Sequence, residues 1–238
     1  MKKEKHPSGA TIIFNEDPHI YYLEDKPEKI FTSVTQLCKK YRADKDFVKI
    51  AKTYAKKNNL NKKHVKAEWD KKAEAGSHKG NSCHAYAESL VTGVPSELHK
   101  QYENYYKQIK IRFKRQFKHS DELISEYIVG LLDAKKAGMI DLLQREKNII
   151  NIIDWKTNET IKVYNKFQKM KPPFEKLDDC DLNIYKLQLN IYRYILIKEN
   201  YFPGCEYKMW LYHVREHGII NIPVLNMDDA ILKQIIYK

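Results

Sequence analysis

The chain has 238 residues, 42% of them hydrophobic and 31% charged, which is enough to bury one sizeable core. Its net charge of +12 favours a partner with a phosphate backbone, such as DNA. No apolar run is long enough to span a membrane, and the first ten residues are too polar for a signal peptide. We therefore expect an intracellular protein without a membrane partner; nothing in the sequence identifies a protein partner.

The predicted elements begin with two short strands, over residues 12–14 and 20–23, which form an N-terminal hairpin. Ser33 or Thr35 can cap a helix that begins near residue 34. Free N–H groups at such a helix start also suit a phosphate, so both residues are candidate DNA-binding residues. A plain N-cap is the alternative.

Residues 45–79 are densely basic, and their apolar positions partly follow helical spacing. This pattern predicts two helices joined at residues 58–61. The segment is compatible with an arch that threads a single nucleic-acid strand and with a solvated helical hairpin. The candidate DNA-binding lysines on either side of the junction are Lys56, Lys57, Lys62 and Lys63.

Two acids near the middle of the chain carry the clearest chemical signal. A β-branched apolar run predicts a buried strand over residues 149–156, on which Asp154 and Lys156 point to one face. A strand over residues 139–143, followed by a polar turn, pairs with it and brings Asp141 beside Asp154. Carboxylates are preferred ligands of Mg²⁺ and Mn²⁺, and a nearby ammonium can orient an attacking water. A solvated strand end is the alternative for the Asp-x-Lys triplet alone.

Flanking segments place further polar residues near this hairpin. His84 lies on a predicted helix before it, and Glu126 begins a predicted strand over residues 126–129. Gln188 and Tyr192 share one face of a mostly apolar helix after it. Core packing is the alternative for Tyr192, whereas Gln188 needs a polar partner, either substrate phosphate or the active-site lysine.

A second hairpin, over residues 208–214 and 219–222, ends the predicted sheet. Together these elements predict an α/β fold with a central mixed sheet flanked by helices.

The order of these motifs resembles that of a known family. Gly80-x-x-x-His84, Gly138-x-Ile-Asp141, Asp154-x-Lys156 and Gln188-x-x-x-Tyr192 resemble the motifs of the PD-(D/E)XK nuclease superfamily, in its RecB-like exonuclease branch. Residues 19–37 are similar to the opening segments of phage exonucleases and of the mitochondrial genome-maintenance exonuclease.

The resemblance implies one nuclease domain over residues 1–238, with a restriction-endonuclease-like core and a basic helical insert at about residues 44–79. It also implies Mg²⁺ or Mn²⁺ as the cofactor, with Lys156 orienting the hydrolytic water. The implied catalytic residues are Asp141, Asp154, Lys156, Gln188, Tyr192 and Glu126, and the implied metal ligands are His84, Asp141, Asp154 and the backbone carbonyl of Trp155.

Some RecB-like relatives bind an iron–sulfur cluster through one upstream cysteine and a tight downstream triplet. The present chain departs from that pattern, so we expect neither an iron–sulfur cluster nor a zinc site. Its four cysteines form no close pair and are Cys38, Cys83, Cys180 and Cys205.

The expected function is thus a metal-dependent deoxyribonuclease, specifically an exonuclease on single-stranded or end-containing DNA. A structure-specific or nicking endonuclease on the same fold is the enzymatic alternative. The competing class is a non-catalytic DNA-binding protein. Paired acids disfavour that class, because a pure binder has no use for carboxylates that face a polyanion.

Overall fold

A nine-stranded mixed β-sheet runs through the computed structural model, which describes residues 1–238. The strands are β1 (Lys2–Lys5), β2 (Thr11–Asn15), β3 (Ile20–Leu23), β4 (Lys26–Ser33), β5 (Glu122–Leu131), β6 (Lys136–Glu146), β7 (Ile149–Lys156), β8 (Glu206–Arg215) and β9 (Gly218–Val224). They follow the order β1-β2-β3-β4-β6-β7-β8-β9, and β5 pairs with β6 outside this path. The β4–β6 and β7–β8 pairs are parallel and the other pairs antiparallel.

Helices cover both faces of the sheet, which confirms the predicted α/β class. The helices are α1 (Val34–Lys40), α2 (Phe47–Lys57), α3 (Lys62–Thr92), α4 (Glu103–Arg112), α5 (Asp181–Lys198) and α6 (Asp229–Ile236). One face of the sheet packs mainly against α1, α5 and α6, and the other against α3 and α4. A 3₁₀ turn (Lys100–Tyr102) precedes α4, and a π-helical turn (Phe113–Phe117) follows it. None of these helices combines the length and apolar character that a membrane crossing requires.

Strand β6 is the centre of the sheet, because it pairs with three other strands. One edge pairs with β5 along nearly its whole length. The other edge is shared: β4 pairs with Lys136 and Ala137, and β7 pairs with residues 142–146. Residues 138–141 of β6 lie between these two ladders, so this edge of the sheet opens in the middle of the fold.

The predicted strands agree closely with the observed ones. β3 and β7 have the predicted bounds, and the other five predicted strands lie inside longer ones. β1 and β4 were not expected, since five of the eight residues of β4 are exposed and its second residue is a proline. Such a strand shows little of the alternation that reveals strands in a sequence.

The basic segment forms the two predicted helices, α2 and α3, with the junction where it was expected. They pack through Ala51, Ala55 and Val65, and the rings of Tyr54 and Trp69 lie 5.7 Å apart. However, α3 continues without a break through the position of His84. With 31 residues it is about 46 Å long. The helical hairpin formed by α2 and α3 is therefore continuous with the core, and the predicted insert boundary at residue 79 lies inside a helix.

Candidate active site

The two predicted acids lie where β6 and β7 separate. The ladder between the strands ends at the pair of Leu142 and Ile153, one residue short of Asp141 and Asp154. β7 stays paired with β8 as far as Lys156, and β6 stays paired with β5 on both sides of Asp141, so the two strands separate within an otherwise continuous sheet. The Asp141 carboxylate accepts a hydrogen bond of 2.8 Å from the Trp155 backbone N–H. This bond satisfies a backbone N–H beyond the end of the ladder and links the two strands across the cleft.

Glu126 faces the same cleft from β5. The residues before and after it pair regularly with β6, so Glu126 lies opposite Asp141 with the ladder interrupted between them. Its φ of 52° is in the left-handed region, which costs a non-glycine residue about 1–2 kcal/mol. The fold thus accepts a strained backbone at the point where two carboxylates approach each other.

His84 reaches this pair of acids from α3. Its Nδ1 lies 3.5 Å from Asp141 Oδ1, and its Nε2 forms a 3.0 Å hydrogen bond with the Trp155 carbonyl. One ligand atom from each of His84, Glu126 and Asp141 lies within 4.8 Å of the others. One imidazole nitrogen and two carboxylate oxygens are a donor set suited to Mn²⁺ and Mg²⁺. The residues therefore fit a divalent cation, and Glu126 belongs to the cluster although sequence reasoning did not place it among the ligands.

Asp154 is not a member of this cluster and instead forms an ion pair with Lys156. The ammonium lies 2.5 Å from Asp154 Oδ2, and both side chains are largely buried, at 4% and 15% exposure. Lys156 Nζ also lies 4.7 Å from the centre of the Tyr185 ring. Gln188 donates a 3.4 Å hydrogen bond to Asp154 Oδ1. The polar partner of Gln188 is thus the acid, and not the lysine.

Tyr192 packs in the core, which was the alternative to a catalytic role. It is 3% exposed, and its hydroxyl lies 3.4 Å from the Gln188 amide nitrogen. A Cβ atom at Gly138 would lie 2.7 Å from the Tyr192 ring, closer than packing permits. Gly138 of the Gly-x-Ile-Asp motif is therefore required by the close approach of α5 to β6, and the hydrogen bonds of Gln188 link Tyr192 to Asp154.

Burial and mutual repulsion shift the protonation of these groups. Burial raises the pKa of Glu126 to about 7, and the Asp141 charge adds to this effect. Burial raises the pKa of Asp154 to about 6, although the Lys156 ammonium opposes it. Burial lowers the pKa of Lys156, but Asp154 and Asp141 outweigh it and the net shift is upward. Lys156 consequently stays charged at neutral pH.

Two residues of the site were missed by sequence reasoning. Lys2 on β1 places its ammonium 2.7 Å from Glu88 and 3.7 Å from Glu126, and so offsets part of the negative charge. No local signal reveals it, since its partners lie more than 80 positions away. Tyr185, against Lys156, precedes Gln188 by three residues and Tyr192 by seven, so their shared helix face was available as a signal.

The predicted DNA-binding residues lie in two places: at the start of α1, where Ser33 pairs with Ala137 beside the opening in β6, and at the far end of the helical hairpin. Ser33 is the N-cap of α1: its Oγ accepts from the Gln36 N–H at 3.1 Å, and Gln36 accepts from the Ser33 N–H at 3.3 Å. The Ser33 hydroxyl thus has an observed capping role, whereas Thr35 is exposed. The four candidate lysines are exposed at the tip of the helical hairpin, and Lys62 is about 33 Å from His84 along α3.

A groove of about 870 Å³ lies between α3 and the residues that follow β7. Lys72 and Lys79 of α3 line one side, and residues 157–160 line the other. Lys79 donates a 3.3 Å hydrogen bond to the Tyr105 hydroxyl. These lysines are closer to His84 in sequence than the tip lysines are, so the groove extends the positive surface towards the cleft.

Comparisons with known proteins give no family assignment. No protein-family model matches the chain, and no curated protein matches it. Its fold is similar to that of a protein from Eubacterium rectale named "Putative exonuclease", with a TM-score of 0.42 and 14% identity over 67% of this chain. It is also similar to the protein SSO0001, with a TM-score of 0.33 and 15% identity over 86% of this chain and 71% of that one. The match spans 62% of the Eubacterium protein. Both TM-scores are below 0.5, so a functional assignment depends on the geometry of the site.

Proposed function

We propose that this chain is a metal-dependent deoxyribonuclease of the RecB-like PD-(D/E)XK type, which hydrolyses phosphodiester bonds from the free ends of DNA. One observation carries the proposal. His84, Glu126 and Asp141 converge within 4.8 Å of one another, next to a buried Asp154–Lys156 pair. These five residues come from four separate elements, and the strained Glu126 backbone adds to the cost of assembling them.

The proposed cation ligands are His84, Glu126 and Asp141, with Asp154 and the Trp155 carbonyl at the edge of the same cleft. A bound Mg²⁺ or Mn²⁺ supplies Lewis-acid polarisation of the phosphoryl group and favours deprotonation of water near neutral pH. The Asp141 carboxylate is already fixed by the Trp155 N–H. Such prior fixing lowers the reorganisation needed when substrate arrives.

Lys156 is the proposed water-orienting group. Its ammonium is held by Asp154 and by the Tyr185 ring, so its position is fixed before substrate binds. A fixed ammonium can hold the attacking water by its oxygen and stabilise negative charge on the phosphoryl oxygens in the transition state. Gln188 in turn orients Asp154. Tyr192 supports Gln188 from the core and is a positioning residue in this scheme.

The positive surface is proposed to bind the DNA backbone. The groove beside the cleft offers Lys72 and Lys79, and the tip of the helical hairpin offers four exposed lysines. Phosphate contacts from lysines give affinity without sequence preference. A helical hairpin that rises beside the cleft would favour a strand with a free end, which supports an exonuclease over an endonuclease.

The proposal is tested with labelled linear single-stranded DNA and covalently closed single-stranded circles, with and without Mn²⁺. We expect Mn²⁺-dependent loss of the linear DNA and little cutting of the circles. Rapid cutting of the circles would show that the same site belongs to an endonuclease and not to an exonuclease. If both substrates bind but neither is cleaved with any divalent metal, the protein is a non-catalytic DNA-binding protein.

A further inference from the structure

The loop between β7 and α5 displays aromatic rings to solvent. Tyr164 is 69% exposed and Phe167 is 83% exposed, and the neighbouring Val163 is 59% exposed. A single exposed apolar side chain needs no explanation, but three within five residues form a patch. Nothing in the proposed catalytic scheme uses these residues.

The loop is held in place by hydrogen bonds on several sides. The Asn165 side chain accepts from the N–H groups of Phe167 and Gln168, at 3.0 and 3.2 Å, and donates to the Asp179 carbonyl at 2.9 Å. The Leu182 N–H donates to the Lys162 carbonyl at 3.0 Å. The rings are therefore presented by an ordered backbone, so a ligand that contacts them pays little additional ordering entropy.

The groove that the two rings help to line contains four basic side chains and two acidic ones, Asp179 and Asp181. The ammonium of Lys166 lies 4.9 Å from the centre of the Phe167 ring, and Lys162 is exposed on the same loop. Arg42 and Lys45 border the loop, where the buried Asp179 carboxylate holds them at 3.5 and 3.3 Å. Exposed rings interleaved with cations match a ligand that alternates flat bases with phosphates.

The loop is connected directly to the candidate active site. The Tyr185 hydroxyl donates to the Asn158 side chain at 3.1 Å, and the Tyr185 ring contacts Lys156. Tyr164 follows Asn158 by six positions, which limits the distance between them to about 20 Å. This limit places the rings within reach of nucleotides a short distance along the strand from the scissile phosphate, and they take no part in the cleavage itself.

We infer that Tyr164 and Phe167 are stacking platforms for the unpaired bases of single-stranded DNA, with Lys162 and Lys166 contacting its phosphates. The inference rests on the proposed function and names the form of its substrate. Stacking uses the face that every base possesses, so binding at this loop tolerates any sequence. A duplex keeps its bases stacked on each other and gains little from the rings.

The test measures binding of a fluorescent 15-nucleotide single strand by anisotropy, without divalent metal so that the strand stays intact. We expect Phe167→Ala and Tyr164→Ala each to weaken binding roughly 5- to 100-fold, the range for removal of one base–aromatic stack. Phe167→Tyr should keep the affinity. The control is Leu225→Ala, which removes an apolar side chain that is also 83% exposed but lies beyond β9.

A strand of abasic nucleotides isolates the stacking contribution. Wild type and Phe167→Ala should bind the abasic strand equally, because only the phosphate contacts remain. Unchanged affinity of both alanine variants for the normal strand would overturn the inference and assign the patch to a protein partner. Full affinity of Phe167→Leu would also overturn it, since leucine keeps apolar area without a ring.

Cleavage of linear DNA with Mn²⁺ is measured on the same proteins and separates the two proposals. If wild type cleaves while the ring variants bind normally, the stacking inference fails and the nuclease stands. If wild type binds through the rings but does not cleave, the nuclease proposal fails and the stacking inference stands.

Discussion

The cleft between β6 and β7 and the tip of the helical hairpin use charge in opposite ways. In the cleft, Asp154 and Lys156 are buried and paired at 2.5 Å. At the tip, the lysines are exposed and form no ion pair. Buried, fixed charges are costly and act strongly on a reacting group, whereas exposed lysines act weakly, additively and in a salt-dependent way. Under the proposed function, the cleft serves catalysis and the tip serves DNA affinity, so substitutions in the two regions should alter different quantities.

The largest expected effect is on catalysis in the cleft. Asp154→Asn keeps the side-chain shape but removes the charge that holds Lys156, so we expect the cleavage rate to fall by roughly 10³-fold or more. Binding of DNA without metal should stay within about twofold. Single-turnover cleavage and anisotropy on the same protein check both statements. Asp70→Asn, at an exposed position on α3, is the matched control and should change neither. Full activity of Asp154→Asn would show that the Asp154 charge has no role in catalysis.

A smaller decrease is expected when a proposed metal ligand is removed from α3. His84→Ala should lower activity by roughly 10- to 100-fold at low Mn²⁺, and high Mn²⁺ should restore part of it. His84 is not in the main apolar cores, so the melting temperature should stay close to that of wild type. An unchanged Mn²⁺ requirement would return His84 to a structural role, as the hydrogen-bond partner of the Trp155 carbonyl.

Ionisation of Glu126 in the cleft should make the stability of the fold depend on pH. The folded state binds the Glu126 proton more tightly than the unfolded state does. The free energy of unfolding therefore falls as pH rises from about 4.5, the ordinary pKa, through the folded pKa of about 7. Glu126→Gln removes this pH-dependent destabilisation. We expect the variant to be more stable than wild type by about 1–2 kcal/mol at pH 8, and the difference to shrink below pH 5. Urea unfolding at both pH values, without divalent metal, checks this.

Added Mn²⁺ should reverse the order of the two proteins at pH 8. A ligand that binds only the folded state stabilises it, and wild type has the fuller ligand set. Equal gains in stability for wild type and Glu126→Gln would exclude Glu126 from the metal cluster.

The smallest effect is expected at the hairpin tip. Replacing Lys56, Lys57, Lys62 and Lys63 by Gln should weaken single-strand binding and reduce the log–log salt slope by about 0.7 for each lysine–phosphate interaction removed. The single-turnover rate at saturating DNA should not change, because Lys62 is about 33 Å from His84 along α3. An unchanged salt slope would show that these lysines are solvated and make no phosphate contacts. The matched control replaces four exposed lysines elsewhere on the surface, namely Lys29, Lys176, Lys208 and Lys233.

Sequence reasoning predicted best where the signal is local. The β-branched run of β7 gave its bounds and the orientation of Asp154 and Lys156, with Trp155 in the apolar core of the opposite face. The contact between Lys2 and Glu126 was inaccessible, because it depends on the packing of β1 beside β5 across more than 120 positions. The left-handed backbone of Glu126 gave no residue-type signal, since glutamate is not typical of that region.

The continuity of α3 was also hidden from sequence reasoning. The helical pattern is weak just before His84, at Gly76, Ser77 and Gly80, so the sequence predicts a boundary between two elements there. In the structure the helix passes through them, and the Cβ position at Gly80 lies 3.6 Å from the Thr157 hydroxyl. Tertiary packing of α3 against the residues after β7 therefore outweighs the local propensity.

The central claim is that His84, Glu126 and Asp141 hold the cation required for hydrolysis. Its most direct test is a Mn²⁺ titration of the single-turnover cleavage rate of linear single-stranded DNA, for wild type and for Asp141→Asn. We predict a rate that rises from zero and saturates with Mn²⁺ for wild type, and no measurable rate for Asp141→Asn at any Mn²⁺ concentration. Cleavage by wild type without divalent metal, or the same titration curve for both proteins, would contradict the claim.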